Sequence, residues 1–356
     1  MSNRVYICHT YYHVYVAALK ELNRGRQHFG TAAILLSSMS NDFENLRFRL
    51  EKTGLFGNVY MFDEKEDVTS SEIMKYHTDR GNLLANLIQR IKYTRLLGKL
   101  QEPYIPINLK DFDDVYVFCD SDPIGYYLNY KKIPYHALED GLNSGKLDDQ
   151  ARNANRGAVG LKCLMAKLGL IFIECGYSRY CIDYEVNDIS VNYMPPKNIK
   201  EVSFDSMCDA LSEEDHEILV DIFLENKEKL IEILNTENYR KPCVMILTEP
   251  LCEPDVRQRL FGDIINTYKD KYQVIIKPHP RDLLDYEESF PECVVIRDRF
   301  PMEVMNDIKG LKVEKLISVL TQVDCIRFAK EKEYLGLDFL DRYEDPSIHR
   351  KTGGET

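Results

Sequence analysis

Short, almost uninterrupted apolar runs recur along the chain, and between them apolar positions return every three or four residues. Runs that do not alternate with polar residues predict strands buried on both faces, and the longer spacing predicts helices packed over them. In the first half the predicted strands are Arg4–Cys8, Ala32–Leu36, Asn58–Phe62, Asp114–Cys119 and Pro134–Leu138. Helices are expected over Val14–Leu22, Asn41–Lys52 and Leu83–Leu100, with another ending near Tyr130. Strands separated by helices imply a parallel sheet with right-handed crossovers.

The pattern weakens from about Leu142 to Leu211, where Asn, Gly and Pro cluster; short strands are read there at Ile171–Glu174 and Tyr180–Tyr184. Helical spacing returns over Ser212–Asn235. A second alternating unit follows, with strands at Cys243–Leu247, Tyr272–Lys277, Cys293–Ile296 and Glu314–Val319. Helices are expected at Asp255–Tyr268 and Pro301–Asp307, and another beginning near Thr321. The expected fold class is α/β, with two Rossmann-like domains whose parallel sheets face a central cleft. The expected organisation is an N-terminal domain over 1–190, a connecting segment and helix over 191–240, and a C-terminal domain over 241–356.

The formal net charge of -12 argues against a partner as polyanionic as nucleic acid. The chain start carries His9, His13 and several tyrosines in its apolar stretch, so it does not read as a signal peptide. The apolar run Leu161–Cys175 contains Lys162 and Lys167 and is too short to cross a bilayer. These features predict a cytoplasmic protein. The ten cysteines include no C-x-x-C pair and read as reduced core thiols. Asp120-Ser121-Asp122 has the spacing of an Asp-x-Asp metal motif and reads as a helix cap. His9 and His13 lack a nearby third ligand, so neither a metal nor another cofactor is expected.

In parallel sheets ligands collect at the carboxyl ends of the strands, and three strand ends carry chemistry. Glu139-Asp140-Gly141 places two adjacent carboxylates, a general-base arrangement, before a glycine suited to a sharp turn. Lys277-Pro278-His279-Pro280-Arg281 fixes an imidazole between two prolines with a cation on either side, suited to protonating a leaving phosphate. Ser318-Val319-Leu320-Thr321 offers hydroxyls and backbone N–H groups for a phosphate. Thr10 and His13, after the first strand, are candidates to line the cleft with Gly141.

The order Glu-Asp-Gly, His-Pro, then Ser/Thr resembles the bacterial sialyltransferases and polysialyltransferases. The segment Ile7-Cys8-His9-Thr10-Tyr11-Tyr12-His13 is similar to the opening of glycosyltransferase family 52, the lipooligosaccharide sialyltransferases. The resemblance runs from about residue 4 to 330. It implies the GT-B fold, a CMP-linked sialic acid or related nonulosonic acid as donor, inversion at the anomeric carbon, no metal, and a surface glycan or lipo-oligosaccharide as acceptor. Glu139 or Asp140 would deprotonate the acceptor hydroxyl, and His279 would stabilise or protonate the departing CMP phosphate. Ser318 and Thr321 would contact that phosphate, with Lys277, Pro280 and Arg281 beside it. The family also places a carboxylate in the loop after the first strand of the second domain, so Glu253 and Asp255 compete for the role of base.

A CDP-glycerol-type or other nucleotide-donor transferase, and a degenerate GT-B protein that only binds nucleotide, are the competing readings. Apolar and basic residues over Leu87–Lys99 leave peripheral membrane contact open, and a homodimer is equally open.

Overall fold

The computed structural model describes residues 3–349 apart from 40, 65–70, 77, 79, 119, 147–158, 193–194, 235–238 and 280–281. Two compact units divide the chain, Met1–Ser212 and Glu213–Thr356.

The first unit is built on a seven-stranded sheet. Its strands are β1 (Arg4–Cys8), β2 (Ala32–Ser37), β3 (Asn58–Phe62), β4 (Asp114–Phe118), β5 (Tyr135–Leu138), β6 (Cys181–Val186) and β7 (Ile199–Glu201). They lie in the order β3-β2-β1-β4-β5-β6-β7, every neighbouring pair parallel. The strand order reverses between β1 and β4, the switch point where doubly wound sheets open a ligand crevice. All of β1 and β2 is buried, as their unbroken apolar runs require. Helix α1 (Tyr11–Leu22) is fastened to β1 by a buried ion pair. Arg4 Nε and Nη2 each donate to the Glu21 carboxylate at 2.9 Å, and Tyr6 OH donates to it at 2.7 Å. Helix α2 (Leu83–Leu100) packs on α3 (Pro123–Lys131), which follows β4. A Cβ at Gly125 would lie 1.8 Å from the Asp120 carbonyl oxygen, so only glycine lets α3 start so close to the end of β4.

The second unit repeats the plan with β8 (Cys243–Leu247), β9 (Gln273–Lys277), β10 (Val294–Val295), β11 (Val313–Ser318) and β12 (Ala329–Tyr334). Their order is β10-β9-β8-β11-β12, again all parallel, with the reversal between β8 and β11. Helix α4 (Pro254–Tyr268) buries Leu260, Phe261, Ile264 and Ile265 against this sheet.

Several elements differ from the sequence expectation. No helix begins near Thr321; the chain runs irregularly to β12, whose Ala-Lys-Glu-Lys-Glu-Tyr sequence has no apolar run because it is an exposed, charged edge strand. The helix expected over Ser212–Asn235 is two, Glu213–Phe223 and Lys227–Leu234, separated by a turn. Ile171–Glu174 forms no strand; Ile171 and Ile173 are buried in a small cluster with Leu87 and Ile91 of α2. The short helix after Pro301 is a 3-10 turn over Met302–Asp307.

Candidate functional site

At the switch point of the first sheet, residues leaving β1, β3, β4 and β5 form one network. Thr10 is the N-cap of α1, its Oγ1 accepting the His13 N–H at 3.2 Å, so this hydroxyl organises the helix start. His13 is fully buried and stacks on Phe118 at 4.4 Å. Its Nδ1 accepts the backbone N–H of His9 at 3.1 Å and therefore carries no proton. The proton resides on Nε2, which donates to the Asp140 carbonyl oxygen at 2.9 Å and to Asp140 Oδ1 at 3.0 Å. Burial pushes the imidazole below its ordinary value, outweighing the pull of Asp140. His13 is thus a neutral donor that aims a carboxylate whose side chain remains 59% exposed.

Glu139 and Asp140 do not act as a crowded pair. Glu139 is buried, its Oε1 accepts the Asn187 N–H at 2.9 Å, and it lines a small cavity of about 30 Å³ with Tyr12, Lys20 and Glu185. Successive residues leave a strand toward opposite faces, so Glu139 braces the chain after β6 while Asp140 meets His13 and solvent. Gly141 was expected to permit a sharp turn. Its φ is not positive and a Cβ there would meet nothing within 4 Å, so neither backbone nor packing demands glycine; Asn143 takes the left-handed conformation instead.

Three members of this network were not among the site residues expected from sequence: His9, Glu64 and Asp122. His9 Nε2 lies 2.6 Å from Glu64 Oε2, and its Nδ1 faces Asp122 Oδ2 at 3.6 Å. Burial opposes protonation of His9, but the bond and charge of Glu64 win and hold it above its ordinary value. Glu64 accepts from Ser37 Oγ and from the backbone N–H of Ile124, and so does the capping expected of Asp122. Asp122 occupies the N-cap position of α3 without making a side-chain cap. Its carboxyl is pushed up to about 7, first by burial and then by Glu64, Asp140 and Asp120, with His9 opposing. Asp120 is structural, accepting Tyr135 OH at 2.8 Å and the Gly176 N–H at 3.1 Å. His9, Glu64 and Asp122 each follow a strand end, which is the signal that could have found them. Both ring nitrogens of His13 are committed, so His9 and His13 do not form a metal pair. Elsewhere His136, Asp183 and Glu185 have metal-like spacing, but Lys20 and Lys200 already neutralise Glu185.

In the second unit His279 is half-buried just beyond β9. Its N–H donates to Thr248 Oγ1 at 3.2 Å, and its carbonyl accepts from the Asp282 N–H at 2.9 Å. Thr248 in turn donates to Asp282 Oδ2 at 2.9 Å. Asp282 also accepts Tyr286 OH at 2.8 Å and pairs with Arg257 at 2.6 Å. Arg257 donates to the carbonyls of Leu251 and Cys252. Side chains from three segments therefore hold the histidine turn, beyond the stiffness of its prolines. Pro280 and Arg281 lie outside the described residues.

Lys277 was expected as a cation flanking the imidazole. It is buried instead, with Nζ donating to the Asp298 carbonyl at 2.9 Å and lying 4.4 Å over the Phe300 ring. Burial lowers its ammonium to about 8. Ser318 is fully buried and its hydroxyl donates to the Thr321 carbonyl at 2.9 Å, inside the turn. The N–H groups of Leu320 and Thr321 converge as an anion site would, and Glu249 Oε1 accepts both at 2.8 and 2.7 Å. Burial pushes the Glu249 carboxyl up, while these N–H bonds pull it down. Glu253 and Asp255 are exposed at the start of α4, Asp255 in the first turn where the helix dipole favours an acid.

Two parallel sheets of Rossmann order, each with polar residues gathered at its carboxyl edge, define a protein of the GT-B class. The crystal structure of an α/β-galactoside α-2,3-sialyltransferase from the luminous marine bacterium Photobacterium phosphoreum is similar to it, with a TM-score of 0.52 and 13% identity over 93% of this chain and 89% of that one. At that identity the likeness speaks to fold alone. The sequence matches glycosyltransferase family 52 over residues 58–323, and the chain belongs to that family. An uncharacterized protein of Haemophilus influenzae is 30% identical over 161 residues, 44% of this chain. The match spans 47%, about half, of that relative's length.

Proposed function

We propose that the protein transfers sialic acid or a related nonulosonic acid from a CMP-linked donor to a surface glycan, inverting the anomeric carbon without a metal ion. Membership of family 52 supports glycosyl transfer. The observation that carries the residue assignment is the His279 turn, braced by Thr248 and Asp282 at the carboxyl end of β9. The second unit takes the donor, and His279 protonates or neutralises the departing phosphate; the Leu320 and Thr321 N–H groups are already taken by Glu249 and are not assigned to it. The first unit takes the acceptor: Asp140, aimed by neutral His13, removes the hydroxyl proton. That oxygen's electron pair forms the new glycosidic bond as the bond to CMP breaks. Asp140 is preferred to Glu139, which is buried against Asn187, and to Asp255, whose exposed place in a helix first turn explains it without catalysis.

The test is release of nucleotide from CMP-sialic acid, CDP-glycerol and UDP-sugars, each with and without EDTA. EDTA-resistant release of CMP from CMP-sialic acid is expected. Turnover of CDP-glycerol alone would assign the protein to attack on phosphorus. Tight CMP binding with no turnover of any donor would make it a binding protein.

A further inference from the structure

The first unit carries an apolar surface, on two helices without acidic residues, that the chemistry above does not use. Helix α2 and a later helix, here α5 (Val159–Lys167), are joined through a small core in which Leu87 and Ile91 meet Cys163, Met165 and Ala166. Their outward positions are apolar: Leu83 is 91% exposed and Leu168 61%, with Leu84, Ile88, Leu161, Leu164 and Leu170 also exposed. Among the described residues these two helices and the turn after α5 hold seven of the sixteen exposed large hydrophobics. Scattered exposed leucines are ordinary, but a concentration on adjoining helices marks a docking surface.

Charge indicates the occupant. The exposed face of α2 continues from Leu84 and Ile88 into Lys92, Arg95 and Lys99, and Lys167 is exposed at the end of α5. No Asp or Glu occurs from Arg80 to Gln101 or from Val159 to Ile173, in a chain whose acids outnumber its bases 58 to 46. An apolar face on two helices that carry cations and no acids is complementary to a bilayer bearing anionic headgroups: the leucines enter the boundary and the lysines and arginines meet phosphate. The overall charge of -12 opposes this little, because salt screens charges beyond about 8 Å at physiological ionic strength. No helix among the described residues is long and apolar enough to cross a membrane, so the contact lies on the surface.

We propose that α2 and α5 dock the first unit on an anionic phospholipid bilayer. This goes beyond the donor reading and stands whether or not that reading holds.

The test is co-sedimentation of the full chain with phosphatidylcholine vesicles, with and without phosphatidylglycerol, over a salt series. Binding is expected only to the phosphatidylglycerol vesicles and should weaken as salt rises. Arg95→Gln with Lys99→Gln should weaken it roughly 30-fold. Leu164→Ser with Leu168→Ser should weaken it by on the order of tenfold or more. All four side chains are exposed, and unchanged melting curves will verify folding. Absence of vesicle binding by wild type, equal binding to neutral vesicles, or unchanged binding by the leucine variant would each overturn the proposal. A dimer in light scattering that the leucine variant dissolves, with no vesicle binding, would assign the face to a second copy instead.

Discussion

Thr248→Val tests whether the histidine turn is held from outside itself. Valine keeps the shape of threonine but loses the oxygen, so the His279 N–H loses its acceptor and Asp282 loses a donor. Thr248 is only 3% exposed, so water cannot easily substitute. A lost amide hydrogen bond costs about 1 kcal/mol and one to a carboxylate about 1.5–3, giving roughly 3 kcal/mol in all. For a unit of this size that lowers the melting midpoint by roughly 6–12 °C. A displaced imidazole should also lower kcat by on the order of a hundredfold, since small misplacements weaken an aligned catalytic group. Calorimetry and initial-rate kinetics on Thr248→Val and Thr248→Ser measure both, and the serine variant should recover most of each loss. An unshifted midpoint together with unchanged kcat in the valine variant would refute the reasoning.

Two further predictions concern the first unit. Glu21→Leu strands the buried Arg4 guanidinium and should cost about 3–5 kcal/mol, read by urea denaturation; adding Arg4→Met should recover most of that loss. Asp122 has a folded value of about 7 against 3.8 ordinarily, so the folded state holds more protons between these values and stability falls as pH rises through that window. Asp122→Asn should therefore match wild type in unfolding free energy near pH 4 and exceed it by about 2 kcal/mol near pH 8, after allowance for partial solvent screening; an equal difference at both pH values would contradict the assignment.

The two sheets were legible because their central strands are buried on both faces and show it as unbroken apolar runs. β12 was not, because Lys330, Glu331 and Lys332 are exposed at an edge where polarity is protective. The strand-end rule singled out Asp140 and His279, which lie just beyond β5 and β9. It could not show that Glu139 turns inward, or that Lys277, adjacent to the histidine turn in sequence, folds over Phe300. Nor could it assign partners: Glu64 reads as one acid in a charged loop until β3 brings it against His9 and the start of α3. Glu249 follows β8 in the chain, and only the proximity of β8 and β11 sets it on the N–H groups of Leu320 and Thr321.

The most direct test of the central claim is CMP release from CMP-sialic acid in the presence of a lipo-oligosaccharide acceptor, measured for wild type, His279→Ala and Asp140→Asn at matched protein concentration and confirmed folding. The account predicts sialylated product from wild type and a loss of at least about a hundredfold in both variants. Full turnover by His279→Ala, or no sugar transferred by wild type from any CMP-linked donor, would contradict it.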